Sequence, residues 1–366
     1  MNILFINSKG FWLNGWLNTP AHLQNAIDVL KLADITVDQV EINDVVQLRQ
    51  ALSSMPPNTL VWPNAYYTRD EAGKLIWLQE VLDEMDIPFV GTAAEGLKRM
   101  LEKEQTHHYL STAGVPVPPH ICISRERLDQ LDSLIETSEL HWPVVVKPSA
   151  ESCSMGVVKA NNLKEAILAV NSIFEEFPYS SAMVEAFLPS EDITCGFLQL
   201  GDNILLLPTY YQSLKMPGAE YVVERDLGVA PWGGPDIVMP PVLHQEALTQ
   251  LARYMPKLVK AIGIGGITRV DARMDVNGTL RFFDVNGMPA LSYPKSVLVR
   301  QVRECFPAIE DRQAYQYLLY TVVMMAASRY ELDLPSALID QNLFNLSGGH
   351  VIRLLQSQLT YDAGMD

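Results

Sequence analysis

The chain contains 366 residues, 48% of them hydrophobic, and carries a formal net charge of −16. This length and composition allow a large buried core and favour two or three domains. The acidic balance excludes a general nucleic-acid binder, which would need a basic surface, and no apolar run reaches the length that crosses a bilayer.

The N-terminal part of the chain alternates predicted strands and helices. This alternation is typical of a parallel sheet covered by helices, so we predict an α/β (α+β) fold that begins with a Rossmann-like domain over residues 1–95. The predicted strands are Asn2–Ile6, Ile35–Val40, Thr59–Trp62 and Pro88–Val90, and the predicted helices are Pro20–Leu32, Val45–Leu52 and Ala72–Met85.

Three further units are predicted, over residues 96–180, 181–330 and 331–366. The first begins with a polar helix that carries Lys103 and His107 and includes the apolar strand Pro143–Lys147. The second opens with the strand Met183–Phe187 and is richer in antiparallel strands. The last contains one predicted element, a strand or a helix over His350–Leu359.

Lys147 is followed by a loop of small and hydroxyl residues that includes Ser152, Cys153 and Ser154. Backbone N–H groups in such a loop can approach phosphate oxygens, and a lysine at its edge supplies positive charge. On composition alone, a polar loop beside an exposed lysine is an equal explanation. Further on, a strand bends after Leu188, where exposed backbone groups can meet an adenine edge and Glu191 or Asp192 can accept from a ribose.

The segment from Arg269 to Asn286 predicts a β-hairpin around a two-residue type I′ turn at Asn277-Gly278. The predicted register gives one apolar face, formed by Val270, Ala272, Met274, Phe283 and Val285. The predicted pairs are Val276–Thr279, Met274–Arg281, Ala272–Phe283, Asp271–Asp284, Val270–Val285 and Arg269–Asn286.

The other face of this hairpin sets Asp271 directly opposite Asp284. Like charges in such a pair repel, so a divalent cation between the oxygens is the simplest explanation. An all-oxygen set of Asp271, Asp284 and Asn286 suits Mg²⁺. The alternative is a solvated face with scattered charges, since the turn signal does not itself imply a metal.

Seven short motifs follow one another in order along the chain, and as a set they resemble the ATP-grasp superfamily, in particular its D-alanine:D-alanine ligase group. The resemblance covers roughly Pro88 to Leu298. The motifs are Val90-Gly91-Thr92, Lys103, Gly114 to Pro118, Val146 to Ser149, Glu185 to Leu188, Arg269-Val270-Asp271, and Asp284-Val285-Asn286 with Pro289.

The resemblance implies a three-part fold with ATP between the two later domains. Lys103 and Lys147 match the lysines on the α- and β-phosphates, together with the loop Ser152 to Ser154. The remaining implied roles are backbone contacts to adenine at Ala186 and Leu188, Glu185 near the adenine amino group, Asp192 at the ribose, and Mg²⁺ ligation by Asp271, Asp284 and Asn286. Asp284 stands where the family usually has Glu.

The resemblance also implies two residues that act on the transferring phosphoryl group. Arg269 matches the arginine that stabilises the charge of the transition state and the tetrahedral intermediate. Lys215 stands where the family has a mobile-loop lysine over the γ-phosphate. A solvated loop charge is an equal alternative for Lys215.

The donor half of the site departs from the D-alanine ligases. Their first loop carries a glutamate that pairs with the ammonium of the first alanine, but residues 7–15 here contain no acid. Their serine and tyrosine partners of that glutamate align with Cys153 and Met216. Since an unpaired buried ammonium is costly, we predict that the chain is not a cell-wall D-alanine ligase.

Other residues are candidates for the substrates. Lys9, with Phe11, Trp12 and Trp16 near it, suggests a bulkier or more acidic donor or one without a free amine, although the tryptophans can equally pack in the core. The segment Ser292 to Val297 aligns with the family's acceptor-carboxylate segment if one residue is inserted, so the resemblance implies that Lys295 and Ser296 hold that carboxylate. The pattern Pro294 to Val297 is similar to the ligases that attach an amino acid to mycosporine-glycine.

The resulting prediction is an ATP- and Mg²⁺-dependent ligase that activates a carboxylate as an acylphosphate and joins it to an amino acid. One alternative activates a different carbonyl oxygen, as in mycosporine maturation, and another is a nucleotide-binding scaffold without catalysis. We predict small-molecule substrates, no nucleic-acid or membrane partner, and a homodimer. The four widely spaced cysteines match no disulfide or zinc framework and indicate the cytoplasm.

Overall fold

The computed structural model describes residues 1–11, 15–151, 155–213, 237–238 and 243–359. Its N-terminal part is a parallel sheet, as predicted. The strands follow the order β2-β1-β3 and are β1 (Asn2–Ser8), β2 (Thr36–Ile42) and β3 (Thr59–Pro63). Helices α1 (Pro20–Lys31) and α2 (Val45–Ser53) connect the strands.

The first turns of both connecting helices are capped by side chains. Thr19 accepts a hydrogen bond from the His22 N–H, and Asp44 accepts one from the Gln47 N–H. Such caps satisfy backbone donors that have no partner within the helix. They explain why both helices begin at the predicted residues.

The predicted helix Ala72–Met85 is wrong in its first half. The chain there forms a hairpin of β4 (Tyr67–Arg69) and β5 (Leu75–Trp77), and helix α3 (Leu78–Glu84) begins only afterwards. Asp70 in the turn accepts hydrogen bonds from two backbone N–H groups, and Gly73 has a φ of 83°, so the turn is stabilised locally. The predicted strand Pro88–Val90 is reduced to one parallel bridge between Phe89 and Val61.

A second, antiparallel sheet has the order β6-β9-β7-β8 and its own apolar core. It carries two predicted site residues, Lys147 on β7 and Glu185 on β9. Its elements, with the helices before it, are α4 (Ala94–Leu101), α5 (Lys103–Thr112), β6 (His120–Ile123), a 3₁₀ turn (Arg125–Gln130), α6 (Leu131–Thr137), β7 (Val144–Pro148), β8 (Val158–Ala160), α7 (Leu163–Glu176) and β9 (Ala182–Ala186).

The third sheet has the order β12-β11-β10-β13-β14, and β15 pairs with β11. Its elements and the helices around it are β10 (Asp192–Leu200), β11 (Asn203–Ser213), β12 (Ile237–Val238), α8 (Gln245–Ile262), β13 (Ile267–Met274), β14 (Leu280–Asn286), α9 (Val297–Cys305), α10 (Asp311–Arg329), α11 (Ser336–Asp340), a 3₁₀ turn (Leu343–Asn345), β15 (Ile352–Leu355) and a last 3₁₀ turn (Gln356–Gln358).

The predicted element in the C-terminal segment is a strand, and it extends the third sheet. Among the described helices, none combines the length and the apolar character that a bilayer span requires. Lys147 of the second sheet contacts the Phe283 carbonyl of the third, so a predicted nucleotide residue lies beside the predicted metal hairpin of β13 and β14. The domain boundaries remain predictions.

Candidate active site

The hairpin of β13 and β14 carries its carboxylates where the sequence predicts them. Arg269 pairs with Asn286, and Asp271 pairs with Asp284. These predicted pairs are confirmed. Because the two like charges lie directly opposite each other across the ladder, they repel, and the arrangement favours a cation bound between them.

The predicted type I′ turn of this hairpin is wrong. The Asp275 carbonyl accepts a hydrogen bond from the Gly278 N–H (3.1 Å), and the Asp275 N–H donates to the Thr279 carbonyl (2.9 Å), so the loop has three residues. Gly278 has a φ of 79°, as in a type I turn followed by a left-handed glycine. The Asp275 carboxylate accepts from the N–H groups of Asn277 and Thr279, 2.9 Å each, and stabilises this turn.

A β-bulge then restores the predicted register. Between the turn and Ala272 every pair is displaced by one position from the prediction, and the register changes back between Asp271 and Ala272. The bulge buries Phe282 in the core in place of the predicted Phe283, and Met274, also predicted for the core, is half-buried. The longer loop and the bulge cancel, which is why the two carboxylates remain opposite.

Asp271 is held by two neighbours on the same face. Arg269 donates from Nε to Oδ1 (3.3 Å) and from Nη2 to Oδ2 (3.1 Å), and Asn286 Nδ2 donates to Oδ2 (3.2 Å). Asp284 accepts from the Val285 N–H at 3.1 Å. The guanidinium therefore offsets part of the negative charge and holds the Asp271 carboxylate in place.

These residues fit a nucleotide-bound Mg²⁺ rather than an ion caged by protein alone. Within the described ranges, no group of three or more His, Cys, Asp or Glu side chains is placed to hold a metal. The hairpin offers two carboxylates and one amide, all oxygen donors. Mg²⁺ typically takes one or two carboxylates together with substrate phosphates, so a polyphosphate is needed to complete this site.

Lys147 and Glu185 form a buried ion pair beside the hairpin. Their side chains are 6% and 7% exposed, and Lys147 Nζ lies 2.7 Å from Glu185 Oε1. Lys147 Nζ also donates to the carbonyl of the bulged Phe283 (3.4 Å). Glu185 Oε2 is buried and has no hydrogen-bond partner in the structure. Since an orphaned carboxylate oxygen is costly, this atom fits an N–H donor such as the predicted adenine amino group.

Lys103 begins α5 and lies close to the same groups. Its N–H bonds the Ser149 carbonyl (3.0 Å), and its ammonium bonds the Glu151 carbonyl. Burial lowers the pKa of Lys103, and the charge of Lys147 lowers it further, whereas Asp284 opposes the shift. The two predicted phosphate lysines and one predicted metal ligand therefore share one electrostatic environment, which an incoming polyphosphate would neutralise.

The structure leaves fewer backbone groups free for the predicted contacts to adenine. The Ala186 N–H already donates to the Pro119 carbonyl (2.9 Å), so it is not available to a base. The Leu188 carbonyl accepts from Arg273 Nη1 at 2.9 Å. A carbonyl has a second lone pair, so Leu188 keeps the capacity for another hydrogen bond.

Arg273 is a site residue that the sequence reasoning missed. It binds both oxygens of Asp192, with Nε–Oδ1 and Nη2–Oδ2 distances of 2.5 and 2.9 Å. Burial raises the pKa of Asp192, and the hydrogen bonds from Arg273 oppose that shift. The available signal was the alternation of Arg269, Asp271 and Arg273 on one strand face. The pair orients the carboxylate predicted to meet the ribose.

His107 is a second residue whose role was missed. It is fully buried, its Nε2 lies 3.4 Å from the Phe283 carbonyl, and its Nδ1 lies 3.4 Å from His120 Nδ1. His120 Nδ1 in turn lies 3.0 Å from the Pro118 carbonyl. The chain of contacts is satisfied when His120 carries its proton on Nδ1 and His107 carries its proton on Nε2. His107 then supports the bulge next to Asp284, a predicted metal ligand.

The remaining predicted residues are placed as follows. Lys9 is exposed, and its N–H bonds the Ile42 carbonyl (3.0 Å) at the end of β2. Lys295 is exposed, and Ser296 precedes α9 with a buried Oγ that has no hydrogen-bond partner in the structure. No described contact joins Lys9 or Lys295 to the hairpin of β13 and β14. Ser152, Cys153, Ser154 and Lys215 lie outside the described residues.

We expect His107 to make the free energy of unfolding depend on pH. Burial and the charge of Lys147 lower its pKa well below the ordinary 6.5, so the unfolded chain binds a proton that the folded chain refuses. The stability from this group is full above about pH 6.5 and falls on acidification, by at most about 1.4 kcal/mol per pH unit. Chemical denaturation between pH 7 and 5 should show a weaker pH dependence for His107→Gln.

The exposed neighbour His108 supplies the control for this measurement. His108→Gln should leave the pH dependence of unfolding unchanged. Equal slopes for the wild type, His107→Gln and His108→Gln would show that His107 is not held neutral by its surroundings.

Comparison with known proteins finds one family. Residues 109–303 match the family model described as D-ala D-ala ligase C-terminus. The D-alanine–D-alanine ligase of Gluconobacter oxydans is 26% identical over 288 residues, which is 76% of this chain and 86% of that protein.

Two solved structures share the fold. One is the D-alanine–D-alanine ligase of Bacillus anthracis complexed with ATP, with a TM-score of 0.62 and 17% identity over 90% of this chain and 99% of the other. The second is the VanG D-Ala:D-Ser ligase of Enterococcus faecalis, with a TM-score of 0.63 and 18% identity over 89% and 99% of the two chains. The chain therefore has the three-part ATP-grasp architecture that its sequence predicts.

Proposed function

The chain belongs to the D-alanine–D-alanine ligase family, and we propose that it is an ATP- and Mg²⁺-dependent ligase that joins a carboxylate donor to the amine of an amino acid. The observation that carries the proposal is the convergence of Lys103 and Lys147 with the opposed carboxylates Asp271 and Asp284. Cations that hold a polyphosphate and oxygens that hold its metal ion are the two requirements of phosphoryl transfer.

The reaction proceeds in two steps. A carboxylate oxygen of the donor attacks the γ-phosphorus of ATP, the bond to the bridging oxygen breaks, and ADP leaves. The amine nitrogen then attacks the acyl carbon, the bond to the phosphate oxygen breaks, and phosphate leaves while the amine loses a proton. The protein contributes position and charge stabilisation.

The residues of the candidate site take separate parts in these steps. Lys103 and Lys147 bind the α- and β-phosphates, and Arg269 stabilises the charge that develops during transfer. Asp271, Asp284 and Asn286 would hold Mg²⁺, which would neutralise charge on the phosphate oxygens. The proposed assignments of Glu185, Ala186, Leu188 and Asp192 to the nucleoside, of Ser152, Cys153, Ser154 and Lys215 to the phosphates, and of Lys9, Lys295 and Ser296 to the substrates complete the site.

We further propose that the chain is not a cell-wall D-alanine ligase. The support is the loop after β1, residues 7–15, which offers no carboxylate to the ammonium of a D-alanine donor. Homodimerisation and a cytoplasmic location belong to the same proposal. Cys122, Cys195 and Cys305 are free thiols in the structure, which fits a reducing compartment.

The test incubates purified protein with ATP, Mg²⁺ and pools of amino acids and small carboxylic acids. We expect ADP and phosphate in equal amounts and a new product whose mass is the sum of donor and acceptor minus water. D-alanine alone should give dipeptide at a rate at least about 100-fold lower, given the cost of an unpaired ammonium. Size-exclusion chromatography with light scattering measures the oligomer.

Each contrary outcome points to a specific alternative. AMP and pyrophosphate would contradict the acylphosphate mechanism. Phosphate release with a donor that has no carboxylate would favour the mycosporine-type activation, which the pattern Pro294 to Val297 resembles. ATP binding without turnover against every pool would favour a scaffold, although the complete set of Arg269, Asp271, Asp284 and Asn286 opposes that alternative.

A further inference from the structure

Two loops meet at the carboxyl edge of the N-terminal sheet, one after β1 and one after β3. In the order β2-β1-β3 this is the point where the direction of sheet building reverses, and open α/β sheets bind ligands in the crevice there. Asn64 joins the two loops. Its Nδ2 donates to Asn7 Oδ1 (3.0 Å) and to the Leu17 carbonyl (2.9 Å), and its Oδ1 accepts from the Leu17 N–H (2.8 Å). Asn64 therefore holds the two loops in a fixed arrangement at this edge.

This crevice adjoins the segment that follows the hairpin of β13 and β14. The Leu291 N–H donates to the Trp16 carbonyl (2.7 Å), and Ser292 Oγ donates to Asn18 Oδ1 (2.5 Å). Both contacts lie within six residues of Asn286, a predicted metal ligand. A molecule held between the two loops thus lies beside the place where the γ-phosphate is transferred.

One wall of the crevice is aromatic. The ring of Tyr67 lies 4.7 Å from the ring of Trp77 and 6.1 Å from that of Phe11, and the rings of Tyr66 and Trp77 are 6.2 Å apart. All four rings are half-buried. Phe11 belongs to the loop after β1, Tyr66 directly precedes β4, and Tyr67 and Trp77 belong to the β4–β5 hairpin, so segments after β1 and after β3 build the wall together. Such rings bind another aromatic ring by edge-to-face or offset contact.

The charges at this crevice suit an anion. Residues 7–18 and 64–69 contain two charged side chains, Lys9 and Arg69, and both are cations. Arg69 lies over the ring of Phe11 at 5.3 Å. Burial raises the pKa of Tyr67, and the carboxylate of Glu102 raises it further, but Glu102 is exposed and belongs to the neighbouring helix end. A buried ammonium would lack a partner in these two loops.

We propose that the crevice between β1 and β3 is the donor site and that its substrate is an aromatic carboxylic acid without a free α-amine. The inference rests on the proposed ligase function, and it adds the chemical class of the donor. The ring packs against Tyr67 and Phe11, and the carboxylate extends toward the metal hairpin.

The test compares four donors to distinguish the effect of the aromatic ring from that of the amine. The four donors are 3-phenylpropanoate, phenylalanine, propanoate and D-alanine, each supplied with ATP, Mg²⁺ and hydroxylamine in place of an amino acid. Hydroxylamine converts an acylphosphate into a hydroxamate, so the donor alone determines the signal. We expect kcat/KM for 3-phenylpropanoate to exceed each of the other three by about 100-fold, because ring burial and the missing ammonium each contribute.

Variants locate the effect in the crevice. Tyr67→Ala should raise the KM for 3-phenylpropanoate about 10-fold and leave the KM for ATP and for propanoate unchanged. Tyr67→Phe should retain the wild-type values. Tyr179→Ala, at a fully exposed tyrosine on the second sheet's side of the molecule, should change none of them.

Two results would overturn this donor assignment. Hydroxamate formed from D-alanine as efficiently as from 3-phenylpropanoate, and lost in Glu102→Gln, would show that the site reads an ammonium through Glu102, while the ligase function would stand. Hydroxamate from neither aromatic acid, with turnover of other acids in the pools, would also exclude the aromatic donor. Absence of acylphosphate with every acid would instead contradict the proposed function itself.

Discussion

Asp284→Ala is expected to lower kcat/KM by at least about 1,000-fold while the fold is retained. The substitution removes one of the two carboxylates that we propose as ligands of the metal ion, and a metal ion at a phosphoryl-transfer site stabilises the charge of the transition state by several kcal/mol. It also removes the repulsion between Asp271 and Asp284 across the ladder. The thermal midpoint without metal should therefore stay equal or rise, and the midpoint with ATP and Mg²⁺ should lose its ligand-induced increase.

Three measurements make this result decisive. Phosphate release gives the catalytic loss, the thermal midpoint with and without ATP and Mg²⁺ gives the loss of ligand stabilisation, and circular dichroism shows that the fold persists. Glu175→Ala, at an exposed carboxylate far from the hairpin, is the control and should behave as wild type. Full activity in Asp284→Ala would show that the hairpin does not hold the metal ion.

Lys147→Met is expected to destabilise the fold by about 3 kcal/mol and to weaken ATP binding about 100-fold. Breaking a buried ion pair leaves an uncompensated charge, here the carboxylate of Glu185, whose second oxygen already has no partner in the structure. The loss of ATP affinity has a different cause, since the substitution removes a cation that a phosphate oxygen needs.

The double variant Lys147→Met/Glu185→Gln separates the two effects. A neutral pair should recover most of the free energy of unfolding, measured by denaturant titration, while ATP affinity stays low. The pair of Lys98 and Glu80 is the matched control, because its side chains are 41% and 39% exposed. Lys98→Met should cost about 0.5 kcal/mol or less. A Lys147→Met variant as stable as Lys98→Met would contradict the buried pair.

In the hairpin of β13 and β14, the predicted pairing of the carboxylates is right, but the predicted turn from which the pairing was counted is wrong. Counting from the turn at Asn277-Gly278 gave the pairs Asp271–Asp284 and Arg269–Asn286, and both are present. The turn itself has three residues, because the Asp275 side chain bonds two backbone N–H groups within it. The bulge at Phe283 compensates the extra residue, and only its packing against Lys147 and His107 explains where it lies.

At the β4–β5 hairpin the local sequence pattern led to a wrong prediction, that of a helix over Ala72–Met85. Residues 72–85 contain apolar positions at helical spacing, but hydrogen bonds within the turn around Asp70 and Gly73 stabilise a hairpin, and the helix therefore begins only at Leu78. The resulting pair of Tyr67 and Trp77 builds the aromatic wall of the crevice. A helix there would have placed these rings differently.

The use of ATP and Mg²⁺, the parallel N-terminal sheet and the family could be predicted from the sequence, because these depend on residue types and on spacing along short stretches of chain. Tertiary structure alone decided the partners of the charged groups. Lys147 bonds Glu185, Arg273 bonds Asp192 across 81 residues, and His107 supports a carbonyl 176 residues away. Such pairs form only when separate sheets pack together and exclude water. The periodicity of short segments does not indicate which strands will pack together.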